Sequence, residues 1–250
     1  MGAAMSSEQA FAGRLALVTG ASGGIGAAIC RSLASGGAAV AAAYGHDAQA
    51  AEDLCRDLAA SGTTAAAFAA DMEDREAPAR LVDQVSAAMG PVDLLVACHG
   101  RGRAAEWASL EAGDFDRTLA INLRAPFMLA QAALGGMCQR GFGRVLFISS
   151  TAALRGGTLA PDYAASKAGL HGLAFFLASR VAAQGVTVNV LAPGFVETAM
   201  LPGDPGELGA RVPVGRVGQP AEVAEMASAI LANGYVTSHV FSIDGGMHPR

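Results

Sequence analysis

Seven short apolar runs recur along the chain, and stretches with helical character separate them. The runs cover residues 15–19, 38–43, 64–69, 94–97, 145–148, 186–191 and 240–243. Strands that are apolar on both faces are typical of a parallel sheet, because crossover helices cover both of its sides. The pattern therefore predicts an α/β fold with a single doubly wound parallel sheet of about seven strands and helices on both faces. Ligands bind such sheets at the carboxyl ends of the strands.

The first apolar run leads directly into a glycine-rich turn over residues 20–26 and then into a helix-compatible stretch over 27–35. Strand, glycine turn and helix start are what a dinucleotide site needs, since glycines let the backbone approach a pyrophosphate and the helix N-terminus supplies N–H groups. The glycines that matter are Gly20, Gly24 and Gly26. A merely flexible Gly/Ala loop is the alternative in a chain with 32 glycines.

The only lysine of the chain, Lys167, stands four residues after Tyr163, one of three tyrosines. Positions i and i+4 share a helix face, so the ammonium and the phenol can approach a common point. We expect the ammonium to lower the pKa of Tyr163 from about 10, which would make the phenol a proton donor near neutral pH. A surface tyrosine packed on a lysine stem is the ordinary alternative.

With these motifs in this order, the sequence resembles the short-chain dehydrogenase/reductase family, and particularly its 3-oxoacyl reductases. Thr19-Gly20-x-x-x-Gly24-Ile25-Gly26 is similar to the cofactor loop of that family. The positions that match its catalytic tetrad are Asn122, Ser150, Tyr163 and Lys167. The resemblance implies that Tyr163 transfers the proton, that Ser150 binds the substrate oxygen, and that Asn122 holds a water linking Lys167 to solvent.

The resemblance also implies the organisation of the chain. We expect a Rossmann-type dinucleotide-binding and catalytic domain over residues 13–250, after a loose N-terminal tail over 1–12. A homo-oligomer, tetramer or dimer, would be built on the helices around Asn122 and Tyr163. The implied cofactor contacts are Gly20, Ser22, Gly24, Ile25, Gly26, Tyr44, Asp71, Met72, Gly100, Tyr163, Lys167, Pro193, Gly194, Val196 and Thr198.

Among nicotinamide cofactors, the sequence favours NADP(H) over NAD(H). Tyr44 stands where NAD-preferring members place an acid for the ribose 2′-hydroxyl, and no acid occurs over residues 38–46. Two features leave NAD open: Gly23 occupies a position that is basic in many NADP-dependent relatives, and Asp47 follows Gly26 by 21 residues. The expected activity is hydride transfer between NADP(H) and a ketone or secondary alcohol. The alternatives are an NAD-dependent steroid or sugar dehydrogenase and a non-catalytic cofactor-binding regulator.

One segment departs from the family pattern. Ala97-Cys98-His99-Gly100 replaces the usual Asn-Asn-Ala-Gly after the fourth strand. His99 could replace the lost hydrogen bonds, contact the substrate, or simply be a satisfied polar group.

The substrate side is expected near residues 201–213, where prolines and glycines predict a loop or short helical lid. Phe195, Met200 and Leu201 would give apolar contacts. Few basic residues surround this segment, which favours a small ketone or a coenzyme A thioester over a chain bound to an acidic carrier protein. Three arginines in nearby loops, Arg101, Arg103 and Arg155, could still supply the charge that a carrier protein needs.

Composition excludes other functions. The formal net charge of −5 without a basic block argues against nucleic-acid binding. The five histidines fall singly, so no metal site is expected. No apolar run reaches the roughly 18 residues of a membrane span, and four cysteines without a C-x-x-C pair suggest a reducing, cytoplasmic setting.

Overall fold

A computed structural model of the chain describes residues 9–248, which fold around one sheet. The strands are β1 (Leu15–Thr19), β2 (Ala39–Tyr44), β3 (Ala65–Ala69), β4 (Leu94–Ala97), β5 (Gly143–Ile148), β6 (Val186–Pro193) and β7 (Val240–Ile243). Their order is β3-β2-β1-β4-β5-β6-β7, and every neighbouring pair is parallel. The strand order reverses between β1 and β4, which creates a crevice at their carboxyl ends. The predicted doubly wound parallel sheet is confirmed.

Helices cover both faces of the sheet. They are α1 (Gly24–Ser35), α2 (Ala48–Ala60), α3 (Ala77–Met89), α4 (Ala112–Leu119), α5 (Ala125–Arg140), α6 (Ala152–Arg155), α7 (Pro161–Val181), α8 (Pro205–Gly209) and α9 (Pro220–Ala232). A π-helical turn, Ala120–Arg124, joins α4 to α5. Helices α3, α5 and α7 pack on one face, and α1, α2 and α9 pack on the other.

The central strands alternate between these two cores. In β1, Leu17 packs with the α3, α5 and α7 layer, and its neighbour Val18 packs with the α1, α2 and α9 layer. Both side chains are fully buried. Successive residues of a strand point to opposite faces, so a sheet covered on both faces requires apolar residues at consecutive positions. This requirement explains the uninterrupted apolar runs of the sequence.

Phe11, which lies inside the tail predicted over residues 1–12, packs against the domain. The Phe11 side chain is buried, and its backbone N–H donates to the Gly36 carbonyl at 2.8 Å. A Cβ on Gly36 would lie 2.6 Å from the Phe11 ring, so a glycine is needed at this contact. Residues 1–8, the rest of the predicted tail, lie outside the described residues.

The segment over 201–213 contains a short helix, α8. Of the two predicted forms, a loop or a short helical lid, the structure has the helix. Asp204 caps it, because its Oδ1 accepts hydrogen bonds from the N–H groups of Gly206 and Glu207 at 2.8 and 3.0 Å. Between residues 9 and 248, no helix is long and apolar enough to cross a membrane. Within the same range, no three His, Cys, Asp or Glu residues group as possible metal ligands.

Candidate active site

A cleft of about 880 Å³ opens at the carboxyl ends of the strands. Every residue predicted to contact the cofactor lines it, together with Ser150. Its far end, past Phe195 and Met200, reaches the segment that contains α8. The structure therefore brings the glycine turn, three of the four predicted catalytic residues (Ser150, Tyr163 and Lys167) and the predicted lid to one continuous site.

The glycine turn between β1 and α1 is packed too tightly for side chains. Gly20 has a φ of +68°, and a Cβ on Gly26 would lie 2.1 Å from the Gly20 carbonyl oxygen. A Cβ on Gly24 would lie 3.0 Å from the Thr198 side chain. Helix α1 starts at this turn, and its N-cap Gly23 has no side chain to occupy the first N–H groups. These amides face the cleft with a positive dipole end, which fits the pyrophosphate of a dinucleotide.

Tyr163 and Lys167 occupy the first turns of α7, beside the end of β5. Tyr163 is buried and hydrogen-bonds to the Ser150 side chain. The Lys167 Nζ lies 5.9 Å from the centre of the Tyr163 ring and donates to the Ile148 carbonyl at 2.9 Å. Phenol, hydroxyl and ammonium therefore converge at one point of the cleft.

The pKa values of this pair differ from the sequence-based expectation. Burial lowers the pKa of Lys167 to about 8. Burial also raises the pKa of Tyr163 above its ordinary value, and the hydrogen bond from Ser150 opposes that rise only in part. The prediction that Lys167 lowers the pKa of Tyr163 is thus wrong for the protein by itself, because desolvation of the phenolate is the larger effect.

Asn122 lies in the π-helical turn and is fully buried beneath the cleft. Its Oδ1 accepts from the Arg101 N–H at 2.8 Å, and its Nδ2 donates to the Arg101 carbonyl at 2.8 Å and to the Ser166 Oγ at 3.1 Å. The amide thus ties the loop after β4 to α7. Its role in holding a water stays a prediction.

His99 forms two side-chain hydrogen bonds in the altered Ala97-Cys98-His99-Gly100 segment. Its Nε2 lies 3.0 Å from the Ile121 carbonyl, which can only accept, so Nε2 carries the proton. Its Nδ1 then accepts from the Thr19 hydroxyl at 2.6 Å. Burial, followed by the charge of Lys167, lowers the pKa of His99 to about 3, so the ring is neutral. Of the three possibilities, the structure favours a brace between β1, the loop after β4 and the turn that carries Asn122.

Sequence reasoning missed Ser166. This fully buried hydroxyl donates to the Tyr163 carbonyl at 2.8 Å and accepts from Asn122. Ser166 follows Tyr163 by three residues, so both lie on the same face of the helix. A polar residue on a face that is expected to be buried was the signal that the sequence offered.

The three arginines near the substrate side differ in their pairing. Arg101 and Arg103 both form ion pairs with Asp114. Arg155 lines the cleft, as does Arg211 of the predicted lid. Neither of these two forms an ion pair with another residue between 9 and 248. Among the described residues at the mouth of the cleft, Arg155 and Arg211 therefore keep an unpaired positive charge, and Arg101 and Arg103 share one carboxylate between them.

Comparison with known proteins agrees with this geometry. A family model described as short chain dehydrogenase matches residues 14–205. An acetoacetyl-CoA reductase of Allochromatium vinosum is 38% identical over 94% of this chain and 98% of its own length. The 3-oxoacyl-[acyl-carrier-protein] reductase of Escherichia coli is 36% identical over 95% of this chain and 98% of its own.

A solved structure gives the same result. A blue fluorescent protein from a metagenomic library, in complex with NADPH, has a TM-score of 0.90 and 39% sequence identity, and the match covers 96% of this chain and all of that one. The family match and the relatives span most of the chain, and the family match includes the four tetrad positions Asn122, Ser150, Tyr163 and Lys167. The chain therefore belongs to the short-chain dehydrogenase/reductase family and is an NAD(P)-dependent oxidoreductase.

Proposed function

We propose that the protein reduces the 3-oxo group of a coenzyme A thioester, of the acetoacetyl-CoA class, with NADPH as the hydride donor. The observation that carries this proposal is the convergence of Ser150, Tyr163 and Lys167 in a cleft that continues from the glycine turn to an apolar substrate end. The 38% identity to an acetoacetyl-CoA reductase supports this substrate class.

Each of the four tetrad residues has its own role in the proposed reaction. A bound nicotinamide supplies the hydride. Tyr163 gives its phenolic proton to the substrate oxygen, and its raised pKa keeps that proton in place until reduction begins. Ser150 donates a hydrogen bond to the same oxygen, where negative charge develops. The Lys167 ammonium stabilises the phenolate that remains, and Asn122 provides for return of the proton through a bound water.

We propose that the predicted cofactor contacts hold NADP(H). Tyr44 at the end of β2 presents no carboxylate that would repel a 2′-phosphate. Asp47 is the acid nearest in sequence, and its Oδ1 accepts the Ala50 N–H at 3.0 Å as the N-cap of α2. That capping bond occupies one of its two carboxylate oxygens, which competes with a role on the ribose 2′-hydroxyl. The solved relative that holds NADPH points the same way.

The free charges favour coenzyme A over a carrier protein. A carrier protein needs a broad basic face, but Arg101 and Arg103 share the carboxylate of Asp114, so these three side chains together carry a single net positive charge. Arg155 and Arg211 are two separate exposed cations, which suit the few phosphates of a single cofactor-sized thioester. The segment over 201–213 would cover the acyl group as a lid, with Phe195, Met200 and Leu201 against it.

We further propose a cytoplasmic homo-oligomer, dimer or tetramer. Its support is the exposed apolar surface of α7, where Phe175 and Phe176 are 44% and 59% exposed. Four free cysteines suit a reducing compartment. Light scattering on the purified protein at micromolar concentration tests the assembly, and a monomer would contradict it.

A kinetic panel tests the proposed function. NADPH and NADH oxidation are followed with acetoacetyl-CoA, with the same acyl group on carrier protein, and with simple ketones. The reverse direction is followed as reduction of NAD and NADP in the presence of a steroid alcohol, a sugar or cyclohexanol. We expect the highest kcat/KM for acetoacetyl-CoA with NADPH. A tenfold preference for NADH would overturn the cofactor proposal. A preference for the carrier-bound substrate that disappears at high salt would overturn the substrate proposal.

A further inference from the structure

A second pair of titratable side chains lies at the cleft, outside the tetrad. Asp244 follows β7, and its Oδ2 accepts a hydrogen bond from the Nδ1 of His248 at 2.7 Å. Its other oxygen, Oδ1, accepts from the Gly246 N–H at 3.0 Å. The side chains of both residues are about nine-tenths buried, with 8% and 10% exposed. The ring of His248 is therefore held in one orientation by a carboxylate that is itself fixed.

The pair sits between the predicted nicotinamide segment and the end of the predicted lid. The Gly194 N–H donates to the Ile243 carbonyl, and a Cβ on Gly194 would lie 2.9 Å from the Asp244 Cβ. On the other side, the Val214 N–H donates to the Gly245 carbonyl at 3.2 Å. His248 itself lines the cleft. The turn over residues 244–248 thus connects the floor of the cleft to the segment that would cover a substrate.

The free nitrogen of this histidine lacks a partner. A carboxylate only accepts, so Nδ1 carries a proton, and Nε2 is left for another group. Nε2 is buried and has no hydrogen-bond partner among residues 9–248. An unsatisfied buried polar atom costs about 1–3 kcal/mol. Native structures rarely leave such an atom unused unless a ligand or a functional state supplies the missing bond.

We propose that Nε2 of His248 is a substrate-binding group, which hydrogen-bonds to the thioester end of the 3-oxoacyl substrate when the lid segment moves to admit it. This inference rests on the proposed function. A pantetheine thioester offers a carbonyl oxygen to a protonated imidazole and amide N–H groups to a neutral one. Asp244 is the positioning residue, because its carboxylate fixes the ring. The pair selects a substrate with a polar group beyond the reacting ketone and takes no part in proton transfer.

The test compares two ketones in steady-state assays at saturating NADPH. Acetoacetyl-CoA carries the thioester, and butane-2,3-dione is an activated ketone without one. Loss of one hydrogen bond of about 1.4 kcal/mol is tenfold in binding. We therefore expect His248→Phe to raise the KM for acetoacetyl-CoA about tenfold, with kcat and the kcat/KM for butane-2,3-dione within about twofold of wild type. His248→Gln should recover most of the loss.

Matched controls separate binding from structure. His239→Gln changes an exposed histidine outside the cleft, and it should leave both substrates unaffected. NADPH titration by fluorescence should give the same Kd for all variants. An unchanged KM for acetoacetyl-CoA in His248→Phe, equal losses on both ketones, or a weakened NADPH complex would overturn the inference and leave the proposed function standing. A wild-type protein that reduces butane-2,3-dione but no 3-oxoacyl thioester would overturn both.

Discussion

Replacing Lys167 by Met should make the protein more stable at pH 7 while removing its activity. The ammonium is almost fully buried, with the Ile148 carbonyl as its hydrogen-bond acceptor. A methionine of similar length fills the same space without a charge. If Lys167 is catalytic, the protein keeps it although it lowers the stability of the fold.

The magnitude follows from the pKa of Lys167, which falls from 10.5 to about 8 on burial. At pH 7 this shift corresponds to about 3 kcal/mol of penalty for burying the charged form. The variant leaves the Ile148 carbonyl short of one hydrogen bond, at about 1 kcal/mol. We therefore expect Lys167→Met to raise the free energy of unfolding by about 2 kcal/mol, which corresponds to about 4–8 °C in Tm.

The pH dependence has a definite sign. Below pH 8 the lysine is charged in both the folded and the unfolded chain, so the penalty is fully present. Between pH 8 and 10.5 the unfolded chain still binds the proton that the folded protein has lost, so wild-type stability rises with pH relative to the variant. The advantage of Lys167→Met should therefore fade across this window.

Urea unfolding at pH 7 and pH 10, beside kcat with NADPH, measures both effects. Arg180→Met on the same helix removes an exposed cation and should change stability by less than about 0.5 kcal/mol. A Lys167→Met variant that is less stable than wild type at pH 7, or whose advantage persists unchanged to pH 10, would refute the reasoning.

Three further predictions concern the brace, the turn and the pH profile. His99→Leu removes the ring N–H from the Ile121 carbonyl and the nearest acceptor from the Thr19 hydroxyl, which keeps the Val96 carbonyl at 3.4 Å, so urea unfolding should show a loss of about 1–3 kcal/mol and kcat should fall with it; unchanged stability would contradict the brace. Gly26→Ala should abolish NADPH binding in a fluorescence titration, because its Cβ would lie 2.1 Å from the backbone of the turn; tight binding would show that the turn does not form the site. The kcat/KM for reduction should fall as pH rises through about 8, where Lys167 loses its charge; a flat profile to pH 10 would separate the ammonium from catalysis.

Much of the fold was predictable because it depends on local pattern. Apolar residues at consecutive positions, as in Leu17 and Val18, indicate a strand covered on both faces, and the glycine turn marks where the first helix begins. The packing of Phe11, which lies inside the predicted tail, was not predictable, because its contact with Gly36 joins positions 25 residues apart and leaves no periodic signal.

The electrostatics of the site depends on packing that the sequence does not show. Spacing placed Tyr163 and Lys167 on one face correctly, but the depth of burial decides the direction of both pKa shifts. His99 forms hydrogen bonds with residues 80 and 22 positions away in the sequence, in β1 and in the π-helical turn. Asp244 and His248 are only four residues apart in the sequence, but their function can be inferred only from their position beside Gly194 in the structure.

The most direct test is the turnover of Tyr163→Phe. General acid catalysis is worth about 10²–10⁴ in rate, so this variant should reduce acetoacetyl-CoA about a thousandfold more slowly than wild type while binding NADPH with the same Kd. Wild-type turnover in the variant would contradict the account, as would a wild-type protein that binds NADPH and reduces no ketone in the panel.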